Sequence, residues 1–98
     1  MTWEQKFAAL CALDGEAKLA MRKPGDWYVA NRIDIGGDGF LVSASGNGAS
    51  PQYAVEALWS ELTENLPPGR YLVVRRFGVE LRVRWNGYMW LDVPKASA

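Results

Sequence analysis

Catalysis needs convergent side chains of matched proton affinity, and this chain offers few of them. Histidine is absent from its 98 residues. That removes an imidazole base, a Ser–His pair and any zinc site built on histidine. The one cysteine, Cys11, excludes an internal disulfide and a multi-cysteine metal cluster, and it falls in the apolar stripe of an expected helix. A thiol in that setting is ordinarily inert packing. Ser43 and Ser45 stand outside any G-x-S-x-G elbow, and Gly46-Asn47-Gly48 lacks the remaining spacing of a dinucleotide or phosphate loop. Asp34 and Asp38 bracket a glycine turn without the dense oxygen spacing of a calcium loop, so that segment reads as a plain hairpin. No enzyme, cofactor or metal site is expected.

The chemistry that remains is recognition. The last third of the chain interleaves arginines with aromatic and aliphatic residues: Tyr71, Arg75, Arg82, Arg84 and Met89. Arginine and aromatic side chains are the types that interface cores favour. Whether these five share a surface depends on the strands that carry them. Arg70 to Arg76 and Val79 to Trp85 flank Phe77-Gly78, and Trp85 and Tyr88 flank Asn86-Gly87, a strong hairpin signal. Two-residue loops would set Arg75 opposite Glu80, Val74 opposite Leu81 and Leu72 opposite Val83. They would also set Val83 opposite Trp90, Arg82 opposite Leu91 and Trp85 opposite Tyr88. The meander then has two faces. One holds Leu72, Val74, Val79, Leu81, Val83, Trp85, Tyr88 and Trp90 and reads as core. The other holds Tyr71, Val73, Arg75, Phe77, Glu80, Arg82, Arg84, Met89, Leu91 and Val93. Two readings of that mixed face stay open: a first helix covers part of it, or it contacts another molecule.

Upstream, Thr2 and Gln5 fit a capping box, and Trp3, Phe7, Leu10 and Cys11 recur at helical spacing. Gly15 ends or kinks this helix, and residues 16 to 22 read as its continuation, stopped at Lys23-Pro24-Gly25-Asp26. Trp27 to Ile35 alternates as a half-buried strand, Gly36-Gly37-Asp38-Gly39 is turn chemistry, and Phe40 to Ser45 returns. Ser50-Pro51 opens a second helix with Ala54, Val55, Leu58, Leu62 and Leu66 on one face. Trp59 lies at the edge of that stripe, as a lid on the core or as a contact residue. The expected architecture is a single α+β domain over 1–98, in the order α-β-β-α-β-β-β. It comprises an N-terminal helical segment 1–23, an α+β core 26–94 with an antiparallel sheet packed on the second helix, and a frayed tail 95–98.

Composition sets the remaining limits. The chain mixes 49 % hydrophobic with 22 % charged residues, which is ordinary for a globular domain. Its formal charge is zero, against a general nucleic-acid or membrane-surface binder. The balance hides an asymmetry: residues 67 to 98 are net basic and residues 26 to 66 net acidic. No run approaches the roughly 20 apolar residues of a membrane span. A single cysteine and no export signal point to the cytoplasm.

Two passages resemble known proteins. Phe40 to Leu62, a strand, then Gly46-Asn47-Gly48-Ala49-Ser50, then a helix with Ala54, Ala57 and Leu58, resembles the strand–glycine loop–helix part of double-stranded-RNA-binding domains. It is also similar to the partial version of that fold in HicB-type antitoxins. That family holds phosphates with lysines at the helix start, whereas here stand Pro51, Gln52, Tyr53 and Glu56, so the resemblance does not extend to RNA binding through this helix. Tyr53-Ala54-Val55-Glu56-Ala57-Leu58-Trp59, Gly69-Arg70-Tyr71-Leu72-Val73-Val74 and Val83-Arg84-Trp85-Asn86-Gly87-Tyr88-Met89-Trp90 resemble stretches of small uncharacterised bacteriophage-encoded proteins. Such proteins often act by binding a host or rival-defence component.

The expectation is therefore a non-enzymatic protein-binding module: a phage-encoded inhibitor in the bacterial cytoplasm that occludes a surface of an antiviral complex, a CRISPR effector for example. Its partner would be a bacterial protein or ribonucleoprotein complex met through Tyr71, Arg75, Arg82, Arg84 and Met89. Two alternatives remain. The same face could bind nucleic acid, with arginines on phosphates and Tyr71 stacking on a base. The chain could instead be a structural or assembly protein that homodimerises along Trp3, Phe7 and Leu10.

Overall fold

The computed structural model describes residues 1–14 and 17–94, without the side chains of 14 and 30–32. Its elements run α1 (Trp3–Asp14), β1 (Lys18–Lys23), β2 (Asp26–Gly37), β3 (Phe40–Gly48), α2 (Pro51–Leu62), β4 (Tyr71–Arg76), β5 (Val79–Trp85) and β6 (Trp90–Asp92). This is an α+β domain built on one antiparallel sheet of six strands.

The capping box forms as expected. Thr2 Oγ1 accepts from the Gln5 amide at 3.2 Å, and Gln5 Oε1 accepts from the Thr2 amide at 2.8 Å. The expected continuation of this helix does not form. Lys18–Lys23 is instead a strand, paired antiparallel with β2 from Lys18↔Ala30 to Lys23↔Asp26. Lys, Leu, Ala, Met and Arg are all good helix formers, so local preference favoured the helix. Ladder hydrogen bonds to β2 outweigh that preference, and Gly25 at φ +78° makes the connection a hairpin turn. The observed order is thus α-β-β-β-α-β-β-β, one strand more than expected.

β3 runs along one edge of β2, from Trp27↔Gly48 to Gly37↔Phe40. β1 and β4 share the other edge end to end, β1 beside 26–30 and β4 beside 33–36. β5 and β6 follow outward from β4. The β4–β5 register agrees with the turn-based expectation: Leu72↔Val83, Val74↔Leu81 and Arg75↔Glu80. Phe77 and Gly78 both have positive φ, +52° and +76°, as a two-residue type I′ turn requires.

The β5–β6 hairpin differs. Asn86 Oδ1 accepts from the amides of Tyr88 at 2.8 Å and Met89 at 2.9 Å, and the Asn86 amide donates to the Met89 carbonyl at 3.1 Å. These bonds close a four-residue loop, so Trp85 faces Trp90 and not Tyr88. The register is displaced by two residues, which keeps the same side chains on each face. Trp90 remains with Trp85 and Val83. Tyr88 leaves the expected core for the loop, where it is 88 % exposed, and Val79, beside the first turn, is also exposed.

Both helices lie on one face of the sheet. Leu10 and Leu13 of α1, Leu58 and Leu62 of α2, and Ile33, Leu72 and Val74 of the sheet are fully buried together. Ser50 caps α2 through the Tyr53 amide at 3.3 Å, and Pro51 takes the first helical position. The inward stripe of α2 is Ala54, Val55, Leu58, Trp59 and Leu62. Trp59 is 4 % exposed and meets Trp85 and Trp90 edge to face, with centroids 5.1 and 5.9 Å away. It belongs to the core, as the lid reading has it. Gly46 and Gly48 let α2 descend onto β3: a Cβ on Gly48 would lie 2.5 Å from Tyr53 Cβ and 2.7 Å from the Ala54 amide nitrogen.

The position of α1 is fixed by its C-terminus. Arg76 Nε and Nη2 both donate to the Leu13 carbonyl, at 3.1 and 2.6 Å, satisfying an oxygen that the helix leaves unpaired. Arg76 shares a sheet face with Leu72 and Val74. α1 is therefore on the core side, and the mixed face of the meander is not beneath it. Trp3 and Phe7 pack on the core within the same chain, and Leu10 is fully buried there, so this stripe is occupied without a second copy.

Candidate interaction face

The face opposite the helices is laid out by register. One row crosses the sheet as Ser43, Asp34, Val73 and Arg82. A second begins Leu41, Gly36, Tyr71, and Arg84 pairs with Leu91 on the far side. Glycine at position 36 seats the tyrosine: an added Cβ would lie 3.0 Å from Tyr71 Cε2, so the ring covers the backbone there. The Arg82 guanidinium sits 4.9 Å from the centre of the same ring, a cation–π contact that holds both side chains flat on the sheet. Val73, between Asp34 and Arg82, is only 4 % exposed on this otherwise open face.

The arginines divide by role. Arg75 Nη1 lies 3.4 Å from Asp34 Oδ2, and Asp34 Oδ1 also accepts from Ser43 Oγ at 2.9 Å. These bonds tie three strands together through Asp34, whose side chain is half-buried while Arg75 is exposed. Arg84 Nη1 donates to the Arg70 carbonyl, and Arg70 Nη1 donates to the Gly37 carbonyl at 3.0 Å while its guanidinium stacks 4.4 Å over Phe40. Arg84 thus ties β5 to the start of β4, and Arg70, on the helix side with Phe40 and Glu61, ties that start to the β2–β3 hairpin. Arg75 and Arg82 remain the outward-facing cations, set among the carboxylates of Asp34 and Glu80.

Of the five residues expected to share this surface, Tyr71, Arg75, Arg82 and Arg84 do. Met89 does not, because the four-residue loop takes it out of the strand. It lines a groove of about 440 Å³ on the helix side with Ala9, Ala12 and Leu13 of α1 and with Trp85 and Trp90. Asp34, Ser43 and Leu41 join the face unanticipated. Alternation in β2 already set Asp34 apart from Ile33 and Ile35, but the pairing of β2 with β4 that brings it to Arg75 is non-local.

Among the described residues, no group of three or more Cys, Asp or Glu side chains is placed to hold a metal ion, and no helix is long and apolar enough to cross a membrane. Compared with protein-family models, curated proteins and solved structures, the chain matches none.

Proposed function

We propose that this protein is a non-catalytic binding module that lays its open sheet face on a protein partner and occludes the surface it covers. The observation that carries the reading is the cluster of Tyr71, Arg82 and Arg75 on the face opposite both helices, flanked by exposed Leu41 and Leu91. A preorganised aromatic–arginine pair with apolar neighbours and a charged border is the make-up of an interface hot spot and its rim. Protein is favoured over nucleic acid because the carboxylates of Asp34 and Glu80 stand beside Arg75, where a phosphate backbone would be repelled. In its concrete form, the reading is of a phage-encoded inhibitor of a bacterial antiviral complex, such as a CRISPR effector, acting in the host cytoplasm. The resemblance of the second half of the chain to small phage proteins supports that form.

The test is a tagged pull-down from bacterial lysate, with and without nuclease, comparing the native chain with Arg75→Glu/Arg82→Glu. Arg84 is left intact because it braces the fold. A protein retained after nuclease and lost with the variant supports the reading, and its binding weakens with salt. Capture that disappears with nuclease assigns the face to nucleic acid. Capture indifferent to both charge reversals removes the face from consideration.

A further inference from the structure

Sheet edges present unpaired amides and carbonyls, and proteins commonly blunt them with charge, proline or brevity. Two of the edges here are blunted. β1 carries Lys18, Arg22 and Lys23 and is followed by Pro24. β6 is three residues long, contains Asp92 and is followed by Pro94. β3 has none of these devices. Its nine residues, Phe-Leu-Val-Ser-Ala-Ser-Gly-Asn-Gly, include no charge and no proline, and among the described residues it pairs only with β2. Phe40, Leu41 and Val42 are 51, 61 and 42 % exposed, so apolar side chains stand out on both sides of this open edge.

We propose that β3 pairs antiparallel with β3 of a second copy of this chain, joining two six-stranded sheets into one of twelve. Several observations select a second copy as the occupant. A two-fold axis normal to the sheet maps each face onto itself, so opposed residues must have the same parity. A strand meeting itself also brings like charges together, and β3 has none to repel. Overlap of the whole strand centres the axis on Ala44. Phe40 then faces Gly48 of the other copy and Val42 faces Gly46. Tyr53, which stands beside Gly48 and is 65 % exposed, becomes the natural cover for the incoming Phe40. On the open side the opposed residues are Leu41 with Asn47 and Ser43 with Ser45, uncharged and compatible with close approach.

The pairing does not rest on the binding reading above, but it has a consequence for it. Two open faces related by the axis would form one continuous surface, and a partner with two-fold or repeated structure would be bound bivalently.

Sedimentation of the unmodified chain tests the proposal. The expected result is a reversible, concentration-dependent rise from 10.9 kDa to twice that mass. Leu41→Lys/Ser45→Lys places four lysines along the joined strands, at positions exposed in the single chain, and is expected to weaken dimerisation more than about tenfold. Leu41→Thr/Ser45→Thr keeps an uncharged edge and retains the dimer. A single 10.9 kDa species at about 100 µM overturns the proposal, as does a dimer of unchanged affinity in the lysine variant. Should the lysine variant fail to fold, hydrogen exchange on the unmodified chain decides. Protection of β3 amides that grows with concentration upholds the pairing, and protection independent of concentration refutes it.

Discussion

Gly46→Ala tests the packing that decides which sheet face is open. The glycine lies in β3 directly beneath α2. An added Cβ would collide with the Ala54 carbonyl oxygen and lie 2.9 Å from both the amide nitrogen and Cβ of Leu58. Two of those three atoms are helix backbone and cannot rotate aside, so α2 itself must rise. Overpacking of a filled site costs about 1–3 kcal/mol. A lift of roughly 0.5–1 Å also forfeits a quarter to a half of the dispersion along the stripe from Ala54 to Leu62. Against this stands a gain of about 0.4–1 kcal/mol from stiffening the unfolded chain, available because Gly46 is not held at positive φ. The expected net loss is about 2–3 kcal/mol, or roughly 10–20 °C in Tm for a chain of this size. Urea unfolding followed by tryptophan emission reads it well, since Trp59 rides on α2 against Trp85 and Trp90. Gly39→Ala is the comparison: nothing lies within 4 Å of its added Cβ, but φ is +75°, so its cost of about 1–2 kcal/mol is conformational. A Gly46→Ala loss below about 0.5 kcal/mol would refute the close seating of α2. The assignment of the helices to the face opposite Tyr71 and Arg82 would lose its support with it.

Arg76→Ala should cost about 2 kcal/mol in urea unfolding, because it leaves the Leu13 carbonyl at the end of α1 without its two charged donors. Arg76→Lys should recover part of that loss, and amide exchange in the last turn of α1 should quicken in the alanine variant. Phe77→Asn should stabilise the chain by about 1 kcal/mol in the same assay: Phe77 is 99 % exposed and held at φ +52°, a conformation that asparagine tolerates far better. Arg84→Ala should cost about 1.5–2 kcal/mol through its hydrogen bond to the Arg70 carbonyl, whereas Arg82→Ala, which gives up only an exposed cation–π contact, should cost about 0.5–1 kcal/mol. Equal losses for the two would contradict their separation into bracing and outward-facing roles.

The legible parts of the fold were those in which local chemistry and long-range pairing agree. Phe77-Gly78 sets the β4–β5 register because the strands either side carry matching alternation and nothing competes with a two-residue turn. Asn86-Gly87 carries as strong a turn signal, yet the Asn86 side chain satisfies two loop amides, and the wider loop sets Trp85 against Trp90 beside Trp59. Burial of three indoles against one another outweighs a turn preference, and only the folded core supplies that term. Residues 18–23 failed for the same reason in reverse: their helix preference is real, and β2 overrides it. Gly46-Asn47-Gly48 read as loop because glycine usually marks one. In the fold those glycines extend β3 and mark a close helix approach, a cause invisible until α2 is in place. The four sheet residues of the candidate face were legible from period-two alternation alone. Displacing β6 by two residues left their face unchanged, whereas Met89, whose place depended on the loop, was lost.

The surface that results places a demand on any partner. Were the arginines of this face free, it would be a cationic patch suited to phosphate. Arg84 instead spends a donor on the Arg70 carbonyl, and Arg75 leans on Asp34. Arg82 is left with its guanidinium stacked on Tyr71 and no charged partner among the described ion pairs. A group held this way has already lost much of its rotamer freedom, so contact with a carboxylate there would lose less entropy than contact with a free surface arginine. Leu41 and Leu91 on either side need apolar cover, and Asp34 and Glu80 repel a second anion nearby. For the proposed binding mode, the complementary surface would be a single acidic side chain set in an apolar patch. Such a patch is common on proteins and foreign to the evenly charged backbone of a nucleic acid.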